Sequence, residues 1–480
     1  MRLMHVYFFL LLFSSVNLLS QVPGKSSEGG YIEVAAKRRI TGSDGSVTYR
    51  DYELFRTRTV ELLPGFKDQA GTVTNSRYGG RTDRKVKATG FYRVEKIGDR
   101  WWCVDPDGYL YLNIALNSIS PGGSEKNKKA LSEKFGSPEK WISETLEMLK
   151  ENGFNCAGSW SDHKAIIAEN MKSPTPFAYT VNLNFMSSYG KERGGTFQQP
   201  GHTGYPNDVI FVFDSEWEKF CDRHAKQATQ YKDDPAFFGY FSDNEMPFRL
   251  KSLDNYLSLP AGDEGRIAAE KWLLEKGIKK EAIDDNIRSE FLYLVAEKYF
   301  SAVSKALKKY DPNHMYIGAR FYSGERNIES FMRSAGRYLD IVSINYYNKW
   351  TPDASEMMKW TDWTGRPFII TEYYTKGEDS GMPNTSGAGW IVKTQRDRGL
   401  FYQNYNLALL QTKSCVGWHY FKYQDNDPTA KGVDPSNTDS NKGIVNNEFE
   451  VWKDFMLLIK ELNTKAYNLI DHFDNESLKK

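Results

Sequence analysis

Two acidic side chains close runs that are otherwise largely apolar. Glu245 ends Phe237-Phe238-Gly239-Tyr240-Phe241-Ser242-Asp243-Asn244-Glu245, and Glu372 ends Arg366-Pro367-Phe368-Ile369-Ile370-Thr371-Glu372. An apolar run bounded by turn residues suits a strand buried on both faces, so a Glu at its end stands where the buried strand opens to solvent. Two carboxyl groups on one rim can divide a reaction between them. Cleavage of a glycosidic bond needs that division: one group protonates the leaving oxygen while the other attacks the anomeric carbon or activates water. A lone Glu at a strand end is more often a solvated or capping residue, and it is the pair that gives the reading weight. Asn244 adds to it, because an uncharged side chain that both donates and accepts suits the holding of a sugar hydroxyl beside the reacting carbon.

The elements that must position these groups alternate in type along the chain. Strand-like stretches run at Tyr109 to Asn117, Phe154 to Gly158, Phe177 to Leu183, Phe237 to Asp243, Met315 to Phe321, Leu339 to Tyr346, Pro367 to Thr371 and Val416 to Phe421. Between them lie helical patterns. Trp141 to Asn152 carries Ile142, Leu146 and Leu149 on one face before Gly153, and Arg288 to Lys309 carries Leu292, Val295, Tyr299, Val303 and Leu307 before Asp311-Pro312. Alternation of this kind predicts a parallel sheet, and a count of eight predicts closure into a (β/α)₈ TIM barrel, whose chemistry sits at the C-terminal ends of the strands. Gly98-Asp99 between two strand-like runs predicts a hairpin ahead of the barrel. The expected organisation is a signal peptide over 1–20, a short β-rich N-terminal extension over 21–87, the catalytic barrel over 88–465 and a C-terminal tail over 466–480. The polar stretch from Gln424 to Asn447 reads as a rim insertion on the last strand.

Composition narrows the functions. With 63 basic and 62 acidic residues the net charge is +1, so no global field steers the chain toward nucleic acid or an anionic membrane. Aromatic residues make up 14%, and their flat amphipathic rings suit stacking on sugar faces as well as core packing. Arg2 followed by the apolar run Val6 to Phe13 and a polar stretch to Ser20 reads as an export signal, too short to span a bilayer. We therefore expect an exported protein, periplasmic or extracellular, with no membrane insertion after signal cleavage. Cys103, Cys156, Cys221 and Cys415 are scattered and form no CxxC pair, so buried free thiols are expected. With 7 His and no HExxH, no metal or other cofactor is implied.

At these residues the chain resembles clan A, the large clan of retaining (β/α)₈ glycoside hydrolases, with Asn-Glu at the end of strand four and a nucleophilic Glu at the end of strand seven. Within the clan it looks most like glycoside hydrolase family 50 (GH50), the β-agarases. The matching segments are Gly90-Phe91-Tyr92-Arg93-Val94, Trp101 to Gly108, Gly153-Phe154-Asn155, Gly158 to Asp162, Asp243-Asn244-Glu245, Gly318-Ala319-Arg320-Phe321, Ser343 to Tyr347 and Ile370-Thr371-Glu372. The resemblance implies that Glu245 is the general acid/base and Glu372 the nucleophile, acting on a polysaccharide or oligosaccharide such as agarose. Arg320 and Tyr347 are then candidates for hydrogen bonding to Glu372. Asn117, Trp160, Asn345 and His419 sit at other strand ends and are candidates to line the sugar subsites. Where the family tends to show His-Trp-Phe near strand eight, this chain reads Gly417-Trp418-His419-Tyr420-Phe421, which leaves Trp418, Tyr420 or neither as the stacking platform. The extension of roughly 65 residues is also shorter than the ~100 of the β-sandwich that usually precedes such barrels. Two alternatives stand beside this reading: the same machinery aimed at another β-glycan (mannan, glucan or a β-galactoside), and a non-catalytic carbohydrate-binding barrel.

Overall fold

The computed structural model describes residues 30–41, 47–68 and 73–477. The expected signal segment, 1–20, lies outside the described residues. The centre is an eight-stranded parallel sheet: β1 (Asn113–Leu116), β2 (Cys156–Ala157), β3 (Ala178–Asn182), β4 (Phe237–Phe241), β5 (Met315–Tyr316), β6 (Val342–Asn345), β7 (Phe368–Glu372) and β8 (Cys415–Tyr420). Each lies within or beside one of the eight apolar stretches of the sequence. Their order across the sheet is β5-β4-β3-β2-β1-β8-β7-β6, so chain neighbours lie side by side and the last strand pairs with the first. The sheet is curled, and its two end strands approach at a parallel bridge between Phe321 and Ile344. Phe321 N donates to Ser343 O at 2.9 Å and Asn345 N to Phe321 O at 2.8 Å across that approach.

β4 and β7 are buried along their whole length, as continuous apolar runs in a parallel sheet require. Tyr92, Tyr111, Phe238, Phe241, Ile317, Ile341 and Ile369 belong to one cluster that fills the sheet's concave side. The outer faces pack on helices. The long helix Asp285–Tyr310 starts where the Asp284 side chain accepts from Ile287 N, and buries Phe291, Val295, Tyr299 and Val303. Helix Gln395–Gln411 is buried nearly all round, because helix Lys453–Thr464 covers the side turned away from the sheet. Cys103, Cys156, Cys221 and Cys415 are buried free thiols.

Tyr109 to Asn117 is not one strand. Tyr109–Tyr111 pairs antiparallel with Arg100–Val104, the second arm of the hairpin turning at Gly98-Asp99, whereas Asn113–Leu116 enters the parallel sheet. This antiparallel sheet sits at the N-terminal end of the parallel strands, where Trp101 N donates to Lys413 O just ahead of β8. The N-terminal strand Ile32–Thr41 lies at the opposite end. It pairs with Glu53–Thr57 and with Trp390–Val392, which belongs to the excursion following β7. Residues 466–477 form a helix, and among the described residues no helix is long and apolar enough to cross a membrane.

Candidate active site

The C-terminal ends of the strands open into a cavity of about 690 Å³ whose wall includes Glu245, Glu372, Asn244, Trp160 and Tyr347. Glu372 is the last residue of β7, and Glu245 stands four residues past the end of β4. Their surroundings differ. Arg320 Nη2 donates to Glu372 Oε1 at 2.5 Å and Tyr347 Oη donates to Oε2 at 2.6 Å, so each oxygen faces a strong donor. Burial first, then the charge of Glu372, keeps the Tyr347 phenol well above its ordinary pKa and therefore a donor. Together the two donors fix the orientation of the Glu372 carboxyl group.

Glu245 has weaker help. Asn345 Nδ2 donates to its Oε1 at 2.8 Å, and His202 Nδ1 stands 3.5 Å from Oε2, long for a hydrogen bond but near enough to favour negative charge. Against these, burial is the largest influence and the negative charge of Glu372 adds to it, so the net direction of the Glu245 pKa is upward. The two carboxyl groups of one cavity thus stand in unequal surroundings, and Glu245 is the one pushed toward its protonated form, as an acid beside a nucleophile requires.

The two are joined through a shared network. Arg320, fully buried, also donates to Asn244 Oδ1 at 3.0 Å and to Thr371 O at 3.1 Å, and Asn345 Oδ1 accepts from Thr371 Oγ1 at 2.8 Å. Asn244 Nδ2 donates to Gly201 O at 3.1 Å. Glu245, Arg320 and Trp160 all have left-handed backbone conformations, with φ of 51°, 52° and 66°. For residues with a Cβ this costs of order 1–2 kcal/mol each, and such outliers gather where surrounding structure fixes side-chain direction.

Of the residues singled out in the sequence, Arg320 and Asn345 lie behind the cavity wall and bond directly to the carboxyl groups, while Trp160 is 41% exposed on the wall itself. Asn345, expected to line a subsite, thus acts through Glu245 instead, and four further residues differ from expectation. Trp418 is not a stacking platform: strand alternation turns it outward, where it is fully buried and its Nε1 donates to Tyr402 Oη at 2.8 Å. Tyr420 points the same way and bonds Arg398. The aromatic ring that β8 brings to the cavity is Phe421, just past its end. Asn117 and His419 do not line the cavity; both are fully buried beneath it. Asn117 Nδ2 donates to Thr371 O at 2.7 Å, behind Glu372. His419 pairs its Nε2 with Asn113 Oδ1 at 2.9 Å, and burial with the nearby Arg320 charge lowers its pKa to about 3, so the ring is neutral.

Sequence reasoning missed His202, Tyr322 and Tyr374, and, although it read 424–447 as a rim insertion, it did not show what that insertion clasps. His202 arrives on a hairpin, Phe197–Gln199 with His202–Gly204, that follows β3. Its one signal in the sequence is a histidine between glycines, Gly201-His202-Thr203-Gly204. Asp434, from the insertion after β8, clasps this hairpin by accepting from Gly201 N at 2.9 Å and Gln198 Nε2 at 2.7 Å. Asp439 of the same insertion accepts from Ser386 N at 2.7 Å and Thr385 N at 3.0 Å, tying in the excursion after β7.

Comparison with known proteins follows the same line. No protein-family model matches the chain. Among curated relatives, β-agarase B of Vibrio sp. (strain JT0107) is 24% identical, covering 90% of this chain and 54% of that one. β-Agarase A of the same organism is 33% identical, covering 91% and 52%. The solved structure of BpGH50 superposes with a TM-score of 0.80 at 29% identity, over 94% of this chain and 99% of that one. The chain is GH50-like in sequence and fold. These relatives support a glycoside hydrolase. The GH50-like chain spans about half the length of the curated relatives it matches.

Proposed function

We propose that the chain is an exported, retaining glycoside hydrolase that cleaves β-galactosidic linkages in agarose or a related red-algal galactan. The observation that carries the mechanism is the unequal treatment of two carboxyl groups in one cavity: Glu372 faces Arg320 and Tyr347, while burial and Glu372 push Glu245 toward its protonated form. The substrate class rests on the β-agarase relatives.

In the first step Glu245 gives its proton to the leaving glycosidic oxygen as Glu372 attacks the anomeric carbon; the glycosidic C–O bond breaks and an ester to Glu372 forms. In the second step Glu245, now ionised, takes a proton from water, whose oxygen attacks the same carbon and releases Glu372. Arg320 and Tyr347 hold the nucleophile in one orientation through both steps, and Asn244, fixed by Arg320, is placed to hold a hydroxyl beside the reacting carbon. Two inversions return the starting anomeric configuration.

The same reading closes the sheet into a complete (β/α)₈ barrel through β5 and β6, supported by the Phe321–Ile344 bridge. It takes 1–20 as the export signal, 21–87 as an extension, 88–465 as the catalytic unit and 466–480 as the C-terminal segment.

The test is product analysis on agarose, with anomeric configuration followed by NMR, for the wild type and for Glu245→Gln and Glu372→Gln. Each variant is expected to lose about 10³-fold or more in kcat while melting like the wild type. Turnover near the wild-type rate in either variant refutes the mechanism, and cleavage of mannan but not agarose refutes the substrate.

A further inference from the structure

The cavity contains more positive charge than a neutral galactan calls for. Arg39, Lys422 and Lys442 all line it, and none forms an ion pair with a carboxylate among the described residues. Arg39 comes from the N-terminal strand Ile32–Thr41; its Nη1 donates to Gly387 O at 3.2 Å, and its Nε is buried with no partner. The Lys442 ammonium converges on the same backbone. A Cβ built on Gly387 would lie 2.6 Å from Lys442 Nζ. Lys442 itself is 1% exposed, held by Ser436 O at 2.5 Å and Asn437 Oδ1 at 3.0 Å, with its ammonium 4.8 Å from the centre of the Tyr374 ring. Lys422 follows Phe421 at the end of β8, and among the described residues its ammonium has no hydrogen bond or ion pair.

This wall adjoins the reacting centre. Tyr374 packs edge-on against Tyr347, ring centres 5.4 Å apart, and Tyr347 bonds Glu372. The acids of the wall are already engaged: Glu372 with Arg320, Glu245 with Asn345, and Asp434 with Gly201 N, Gln198, and the backbone and hydroxyl of Ser436. Burial and mutual repulsion push the Lys442 ammonium well below its ordinary pKa, with Lys422 and Lys376 the repelling neighbours, and burial lowers Lys422 to about 8. An anion placed among these groups relieves that repulsion and supplies acceptors for a guanidinium whose Nε is free, and guanidinium geometry fits a carboxylate or sulfate oxygen pair. A neutral hydroxyl can accept from the guanidinium, but it neither relieves the repulsion nor offers a charged pair of oxygens.

We propose that the cavity carries an anion subsite, formed by Arg39, Lys422 and Lys442, for a sulfate ester or carboxylate substituent on the sugar chain beside the cleaved linkage. The inference rests on the reading of this cavity as a carbohydrate site and narrows its ligand to an acidic galactan. The substituent keeps its covalent bond to the sugar, and no group is transferred.

Calorimetric binding to the full chain with Glu245→Gln tests it, using size-matched galactan oligosaccharides that are neutral, 6-sulfated or uronate-bearing. At least one anionic ligand is expected to bind tenfold or more tightly than the neutral one, and the two anionic arms identify the substituent. The advantage should shrink with added salt, fall at least tenfold as a ratio in Lys422→Met or Arg39→Gln, and return in Lys422→Arg. Equal or weaker binding of both anionic ligands overturns the proposal without reference to any variant. Wild-type product analysis separates the two readings. Hydrolysis of agarose with no anionic preference removes the subsite alone, and anionic preference with no hydrolysis of any galactan removes the hydrolase and leaves the subsite.

Discussion

Arg320 holds both halves of the site, so its replacement gives a graded test. Its Nη2 serves Glu372 Oε1 at 2.5 Å and Thr371 O at 3.1 Å, and its Nη1 serves Asn244 Oδ1 at 3.0 Å. Lysine keeps the charge but presents it as a point, and cannot bridge Asn244 and Glu372 together. Losing two hydrogen bonds from a charged donor, at about 1.5 kcal/mol each, comes to about 3 kcal/mol. At about 1.4 kcal/mol per factor of ten, Arg320→Lys is expected to reduce kcat by about a hundredfold. Arg320→Met also strands the Glu372 carboxylate, and breaking a buried pair costs about 3–5 kcal/mol, so its loss should lie between about 10²- and 10⁴-fold. Initial rates on agarose oligosaccharides of defined length give kcat and KM separately, and thermal melting shows whether each variant is folded. If a folded Arg320→Met protein retains kcat within tenfold of wild type, the assignment of Arg320 as the holder of the nucleophile is wrong.

The alkaline limb of the kcat/KM profile should follow Glu245, which must be protonated to act as an acid. Because its pKa is raised, activity should persist above the usual carboxylate range and fall as pH rises through that value. His202 favours the ionised form of Glu245, so His202→Ala should move this limb to higher pH, and a downward shift would contradict the geometry. Trp160→Ala should raise KM by roughly two- to tenfold, the size of one aromatic contact, with little change in melting temperature. Trp418→Phe should do the reverse: by losing the bond to Tyr402 it should destabilise the fold by about 1–3 kcal/mol in urea unfolding and leave KM alone. Asp243 is fully buried and accepts from Met186 N at 2.8 Å, Ser187 N at 3.0 Å and Tyr299 Oη at 2.6 Å. Asp243→Asn turns an amide N–H toward at least one of these donors and should cost about 1–3 kcal/mol of stability by the same measurement.

What could be read from the chain is what local pattern encodes. Apolar runs such as Phe237 to Phe241 and Phe368 to Thr371 fit strands buried on both faces, and their alternation with helical segments is enough to specify a parallel α/β sheet. Glu245 and Glu372 stood out because a charge at the end of such a run contradicts its surroundings. The break at Leu112 was hidden, since Tyr109 to Asn117 is uniformly strand-like and only the choice of partner divides it between two sheets.

Direction and distance were decided by tertiary structure. Period-two alternation means that one step along β8 separates a ring in the cavity from a ring in the core, and sequence alone does not say which parity faces inward; Trp418 and Tyr420, the expected platforms, lie in the core for that reason, while Phe421 reaches the cavity. Depth along a strand is equally silent, so Asn117 and His419 lie one layer too low to touch a sugar. His202 and Arg39 reach the cavity from a hairpin after β3 and from a strand paired with residues some 350 positions away. Those placements follow from pairing and packing between remote segments, which no local periodicity records, whereas the eight strands and the two carboxylates were set by residues next to one another.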